Sequence, residues 1–130
     1  MRTLILLCTI GFLSSTIAAQ NFEVVSTYPA DGAFGVLTDS VLITFSEPVY
    51  INLDFDDLEE SGFYAGLEPE DSFEPDSIAL SDDGLTIKFF GTFAIDTDYL
   101  LFVYGAESQS GKELSTPIIT QFTTANSRGE

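Results

Sequence analysis

The residues with the clearest capacity for chemistry form one acidic segment near the middle of the chain. The stretch NLDFDDLEES is rich in side-chain oxygens, and Ca²⁺ takes about six to eight oxygen ligands. The spacing is not that of an EF-hand loop: counted from Asp54, Glu59 replaces the required glycine and Ala65 replaces the final acidic ligand. A calcium site and a solvated acidic segment are both open interpretations. The candidate ligands are Asn52, Asp54, Asp56, Asp57, Glu59 and Glu60.

Catalytic groups other than carboxylates are scarce. The sequence has no histidine and one cysteine, Cys8, which argues against Ser-His-Asp or Cys-His catalysis and against ordinary structural zinc sites. Lys88 falls on a predicted strand and Lys112 in a predicted loop, so neither has the buried setting that activates a lysine. The DTD stretch, 96–98, is not the Asp-Thr-Gly loop of aspartic proteases. We therefore predict no catalytic residue, no bound cofactor and no enzymatic activity.

The net charge of the chain limits the classes of partner it can bind. The chain has 21 acidic and 4 basic residues, and its formal net charge is -17. Such a surface repels nucleic acids and anionic membranes. We expect a protein or another cell-surface component as the partner, and neither its identity nor the oligomeric state follows from the sequence.

Residues 1–19 have the pattern of a secretory signal peptide. A positive start at Arg2 precedes an apolar run at 4–13, and small or polar residues lead to a predicted cut before Gln20. Leu7 stands where a lipoprotein signal needs a small residue before Cys8, which argues against lipidation. We expect a secreted chain without membrane insertion after cleavage, because no later segment approaches about 20 apolar residues. Residues 20–130 then suffice for a single domain.

Alternation of apolar and other residues predicts strands along most of this domain. The alternation is clearest in 41–46 and 85–90, and Asp83-Gly84 before the second of these suits a tight hairpin turn. No segment has a helical period. About seven short strands without crossover helices predict an all-β fold, an antiparallel Ig-like β-sandwich. The other predicted strands are 22–27, 49–53, 77–80, 99–104 and 118–124.

The region of about 54–76 is predicted to be an acidic, irregular loop region. It also contains aromatic residues, among them Phe63 and Tyr64. A disordered tail would lack these apolar residues, so we expect the region to fold over an edge or a face of a sheet. Its acidic residues are Asp54, Asp56, Asp57, Glu59, Glu60, Glu68, Glu70, Asp71, Glu74 and Asp76.

Several stretches resemble the bacterial Ig-like domain of the SbsA type, found in S-layer and other surface proteins. They are STYPADGAFGV with SVLITFSEPV, LSDDGLTIKFF, DTDYLLFVYGAESQSGKEL and ITQFTT. The resemblance covers nearly all of 20–130. It implies a non-catalytic β-sandwich in an extracellular, periplasmic or cell-surface setting. One such module without an anchoring repeat suggests a free secreted protein, a subunit of an assembly, or a remnant of a longer surface protein.

The resemblance assigns structural roles to two groups of residues. Pro29, Asp31, Gly32 and Gly35 would connect the first two strands rather than bind a ligand, and Pro29 should end the first strand. Tyr99 resembles the corner tyrosine of Ig-like sandwiches, whose hydroxyl bonds to nearby backbone.

Strand 99–104 is apolar on both faces. Leu100, Phe102 and Tyr104 alternate with a second apolar set and form either an exposed interaction patch or a surface covered by Phe63 and Tyr64. We favour the covered arrangement. The function we predict is a secreted, non-catalytic Ig-like module with a structural or protein-interaction role; the alternative is a calcium-dependent binding or adhesion domain that uses 52–60.

Overall fold

The computed structural model describes residues 21–126, apart from the side chains of residues 55 and 56. The predicted signal peptide, with Cys8, lies outside this part of the chain and stays a prediction. Within 21–126, no helix has the length and apolar character needed to cross a bilayer.

Strands dominate the described residues, which confirms the all-β prediction. There are more strands than the predicted seven, because short segments at 33–36, 64–68 and 107–108 also pair. In chain order the strands are β1 (Val24–Tyr28), β2 (Ala33–Val36), β3 (Ser40–Phe45), β4 (Val49–Tyr50), β5 (Tyr64–Glu68), β6 (Phe73–Leu80), β7 (Thr86–Phe93), β8 (Asp98–Gly105), β9 (Glu107–Ser108) and β10 (Ile118–Thr124). Two short 3₁₀ helices, Phe55–Ser61 and Glu70–Ser72, flank β5.

The strands form two four-stranded sheets and one small pair. The first sheet has the order β1-β3-β7-β6 and the second sheet the order β2-β10-β8-β5, while β9 pairs with β4. All pairings are antiparallel except that of β2 with β10, which is parallel. The architecture is thus an Ig-like β-sandwich, as the strand pattern predicted.

The core lies between the two sheets and follows the period of two along each strand. In the first sheet Ile43 and Ile87 are opposite one another and fully buried. In the second sheet Tyr99 stacks on Phe122 with ring centroids 5.3 Å apart, and Phe93 of the first sheet meets the Tyr99 ring edge-on at 5.3 Å. Offset and edge-to-face ring pairs of this kind contribute about 0.5–1.5 kcal/mol each beyond their buried area.

Tyr99 forms the corner that the resemblance implied. Its ring is buried in the core, and its hydroxyl donates to the Ser72 carbonyl and accepts from the Ala94 N–H at 2.9 Å. The Ala94 N–H also lies 3.1 Å from the Ser72 carbonyl, so three groups share one hydrogen-bond cluster. Burial raises the pKa of the Tyr99 hydroxyl. The corner links the second sheet to the start of β6.

The connection between β1 and β3 is more than a turn. Strand β1 ends immediately before Pro29, as predicted, and Gly32 and Gly35 have positive φ values of 84° and 68°. Asp31 accepts a hydrogen bond from the Gln121 N–H at 2.9 Å. The following residues, Ala33–Val36, form β2 on the second sheet. The segment therefore forms the predicted connection, and it crosses to the second sheet before the chain returns to the first at β3. Its structural role, as opposed to ligand binding, stays a prediction.

The acidic region 54–76 is not irregular throughout, contrary to our expectation. It contains β5, which pairs with β8 at the edge of the second sheet, and the beginning of β6. The sequence of β5, Tyr-Ala-Gly-Leu-Glu, has no β-branched residue, so its pairing depends on the packing around it. Phe63, just before β5, is buried and stacks on Phe89 at a centroid distance of 6.0 Å.

Candidate functional site: the outer face of the second sheet

Strand β8 presents one apolar face to the core and another to solvent. Tyr99, Leu101 and Val103 are buried, whereas Leu100 and Tyr104 are 41% and 57% exposed. The expected cover is absent from the described residues: Phe63 belongs to the core, and Tyr64 is itself 49% exposed at the neighbouring edge strand. The favoured covered arrangement was therefore wrong, and the alternative of an exposed patch is correct.

We call this surface the aromatic face; it consists of the exposed residues Tyr64, Leu100, Tyr104 and Ile119 and the half-buried Phe102. The rings of Phe102 and Tyr104 stack with centroids 4.8 Å apart. Ile119 of β10 is opposite Phe102 in the sheet register and is 57% exposed. The face is contiguous because it spans three neighbouring strands, β5, β8 and β10.

Two glycines let the rings lie close to the backbone of the sheet. Phe102 covers Gly66, where an added Cβ would lie only 2.6 Å from the ring's Cζ atom. Tyr64 packs similarly against Gly105, where the corresponding distance to Cδ2 would be 3.3 Å. Cross-strand packing of an aromatic ring on glycine is a known way to stabilise such positions. The rings are thus held in place on the surface rather than projecting freely.

One end of the aromatic face opens into an acidic groove of about 460 Å³, lined by Tyr64, Tyr104 and four carboxylates. Glu107 and Glu113 are opposite one another in an antiparallel bridge, an arrangement in which like charges destabilise the pair. The other two carboxylates, Glu59 and Glu60, come from the first 3₁₀ helix. We define the acidic groove by Glu59, Glu60, Glu107 and Glu113.

The lining of the acidic groove carries four carboxylates and no lysine or arginine. The pKa of Glu60 is raised because its protonated carboxyl can donate a hydrogen bond to the Asp57 carboxylate, and because the negative charge of Asp57 disfavours ionisation of Glu60. Of the two lysines in the described residues, Lys112 pairs with Glu47 at 3.0 Å, and Lys88 lies 4.8 Å from the ring centroid of Phe90 on the first sheet. A hydrogen bond from Ser110 and the Lys112 ammonium lower the pKa of Glu47. Both lysine head groups therefore contact residues outside the groove.

The described side chains of the predicted calcium ligands do not form a metal-binding cluster. Within 21–126, no group of three or more acidic side chains is arranged to hold a metal ion. Asp57 and Glu60 approach each other along the first 3₁₀ helix, and the Asp56 side chain lies outside the described part of the chain. In the DTD stretch, Asp98 accepts a hydrogen bond from Thr123 at 2.6 Å, which is a structural role.

Alternation along strand 99–104 predicted Leu100, Phe102 and Tyr104, but not the other residues of this surface. Ile119 was recognisable in principle, because the period of two places it on the opposite face of β10 from the buried Phe122. Glu107 and Glu113 were not, since their approach depends on the short β9 segment and its bridge.

The sandwich and its tyrosine corner define an Ig-like module. The chain belongs to the bacterial Ig-like domain family, whose pattern it matches over residues 18–124. This confirms the family resemblance drawn from the sequence.

Solved structures show the same fold. The S-layer protein SbsC aligns with a TM-score of 0.54 and 24% identity over 85% of this chain and 14% of SbsC. CopC from Methylosinus trichosporium OB3b aligns with a TM-score of 0.53 and 12% identity, covering 80% of this chain and 93% of CopC. PcoC, a methionine-rich copper resistance protein from Escherichia coli, gives a TM-score of 0.51 and 15% identity, covering 81% and 99%. The chain thus spans a small part of the S-layer protein. No curated protein matches the sequence significantly.

Proposed function

We propose that this chain is an exported, non-catalytic Ig-like module that binds a component of the cell surface or extracellular space through the aromatic face. The similarity to an S-layer protein domain supports a structural setting of this kind. Export is supported by the signal-like pattern of residues 1–19.

The observation that carries the proposal is the exposure of the aromatic face. Tyr104 and Ile119 are both 57% exposed, although they belong to the middle strands of the second sheet. A contiguous apolar surface on a sheet commonly marks an interaction site, and aromatic residues are enriched in such interfaces. Retention of these rings over Gly66 and Gly105 is consistent with a surface preorganised for contact.

The similarity to a copper resistance protein raises the possibility of copper binding. The residues of this chain give that function little support. Sites for copper use histidine, methionine or cysteine. This chain has no histidine, and its one methionine and one cysteine are Met1 and Cys8. Calcium binding by 52–60 is the alternative function.

Binding to washed envelopes of the native cells tests the proposal. Wild-type protein should be retained, whereas Ile119→Ser should reduce retention at least about fivefold, because one buried large apolar contact is worth about 1–3 kcal/mol. Val25→Ser is the matched control, since Val25 is also 57% exposed but lies on the first sheet. Equal retention of the two variants would contradict the role of the aromatic face.

Mass spectrometry of the exported protein should find Gln20 at its N-terminus.

A further inference from the structure

The aromatic face and the acidic groove meet at Tyr64 and Tyr104. We propose that this junction docks a lysine- or arginine-bearing segment of a protein partner. The cationic side chain lies across the tyrosine rings, and its charged head enters the acidic groove. This inference rests on the proposed function, because it assigns a chemistry to the partner of the same face.

The rings supply the first half of the recognition. Cations bind the faces of aromatic rings when they lie within about 6 Å of the centroid. The protein already contains one such contact, between Lys88 and Phe90 at 4.8 Å. Tyr104 is exposed and held by its stack with Phe102, so its ring is available without rearrangement.

The carboxylates supply the second half. Glu107 and Glu113 face one another across the bridge, and Glu59 and Glu60 line the same groove. A cation placed between them replaces repulsion with attraction. Four carboxylates line this groove and no lysine or arginine does, so a basic segment of a partner would supply the complementary charge.

The net charge of the chain favours a basic partner over a second copy of the chain as the occupant of the aromatic face. A second copy of this chain would bring another formal charge of -17 against the first, and like charges facing each other across an interface are unfavourable. A basic segment has both features that the site needs, an apolar stem for the rings and a positive head for the carboxylates.

Fluorescein-labelled octalysine is the probe, titrated by anisotropy into the purified protein at about 150 mM salt, where long-range attraction is screened over about 8 Å. The double variant Glu107→Gln with Glu113→Gln should weaken binding about tenfold, because it removes the charge of two of the four carboxylates that line the groove. The matched control is Glu74→Gln with Asp82→Asn, which removes the same charge from exposed positions elsewhere and should weaken binding less than about twofold.

A ring variant separates stacking from charge. Tyr104→Leu keeps an apolar side chain but removes the ring, and it should weaken binding about threefold, whereas Tyr104→Phe should bind as the wild type does. Glu107→Gln with Glu113→Gln should also raise the unfolding temperature slightly by removing the facing charges, so a loss of binding in this variant is not a loss of folding.

Equal weakening by the two charge-matched double variants would overturn the inference, because binding would then reflect total charge. Equally tight binding of spermine would assign the site to free polyamines instead, and dimerisation through the face would assign it to a second copy; either result overturns the proposed occupant. If Ile119→Ser abolishes envelope retention while Glu107→Gln with Glu113→Gln does not, the proposed function stands and the basic partner is wrong. If neither variant affects retention, the proposed function itself fails.

Discussion

The tyrosine corner gives the sharpest test of how this sandwich is held together. Tyr99→Phe removes one hydroxyl and leaves the buried ring in place. The hydroxyl bonds both the Ser72 carbonyl and the Ala94 N–H, but these two groups also bond each other at 3.1 Å. The variant therefore loses two hydrogen bonds without leaving either backbone group unpaired. We expect a loss of about 1.5 kcal/mol in the free energy of unfolding, since a net hydrogen bond contributes about 0.5–1.5 kcal/mol.

Urea denaturation followed by circular dichroism measures this loss. At about 4–8 °C per kcal/mol for a domain of this size, the unfolding temperature should fall by about 6–12 °C. Tyr104→Phe is the matched control, because the Tyr104 side chain is exposed and its substitution should leave stability unchanged. A loss above about 3 kcal/mol would show that Ser72 and Ala94 are left unpaired, and one below about 0.5 kcal/mol would show that the corner is not stabilising.

The same variant has a signature at high pH. Burial raises the pKa of Tyr99 above its ordinary value of 10.0. The unfolded chain therefore ionises this group first, and the stability of the wild type should decline as the pH rises above about 10. Tyr99→Phe lacks that contribution, so the difference in stability between the two proteins should shrink there. A constant difference across this range would contradict the raised pKa of Tyr99.

Three further predictions concern separate parts of the molecule. Gly91→Ala should lower the free energy of unfolding by about 2 kcal/mol, because its Cβ would lie 2.5 Å from the Glu74 carbonyl oxygen. Gly66→Ala should lower it by less than about 1 kcal/mol, because the added Cβ meets only the end of the Phe102 side chain, which can shift. Chemical denaturation compares the two variants, and a larger loss in Gly66→Ala would contradict this account. Hydrogen bonds from Ser81 and the Leu85 N–H lower the pKa of Asp83, so its stabilising contribution is present above its ordinary value of 3.8 and is lost as the pH falls through the lowered value; Asp83→Asn should abolish that part of the acid dependence, and an unchanged acid titration of stability would argue against it. Calcium and magnesium at equal concentration should shift the unfolding temperature equally, because the described carboxylates do not converge on a metal site; a larger shift with calcium that Asp54→Asn removes would establish the alternative calcium-binding function.

Local sequence rules were sufficient for the framework of the fold. Alternation placed the buried Val41, Ile43 and Phe45 on one face of β3, and Asp83-Gly84 at the hairpin, where Gly84 has a φ of 76°. These features depend on neighbours in the chain, so single-sequence reasoning reaches them. The corner tyrosine followed from the family resemblance and is confirmed by its two backbone partners.

The errors occur where tertiary contacts decide the outcome. Nothing in the β5 sequence distinguishes it from a loop, and it becomes a strand because β8 offers an unpaired edge and Phe102 packs on Gly66. Phe63, one residue before β5, is buried in the core, whereas its neighbour Tyr64 is exposed. Which side of the sandwich an aromatic residue occupies depends on the path of the chain before it, and the period of two does not record that path.

The position of β10 has a consequence for the order in which the fold can assemble. This last described strand lies between β2 and β8, and it pairs Phe122 with Ala33 across most of the chain. Without β10, β2 has no partner in its sheet and β8 has only the edge strand β5. Closing the long loop between such distant segments costs conformational entropy, and this cost slows folding. The second sheet therefore cannot be completed before β10 has been synthesised.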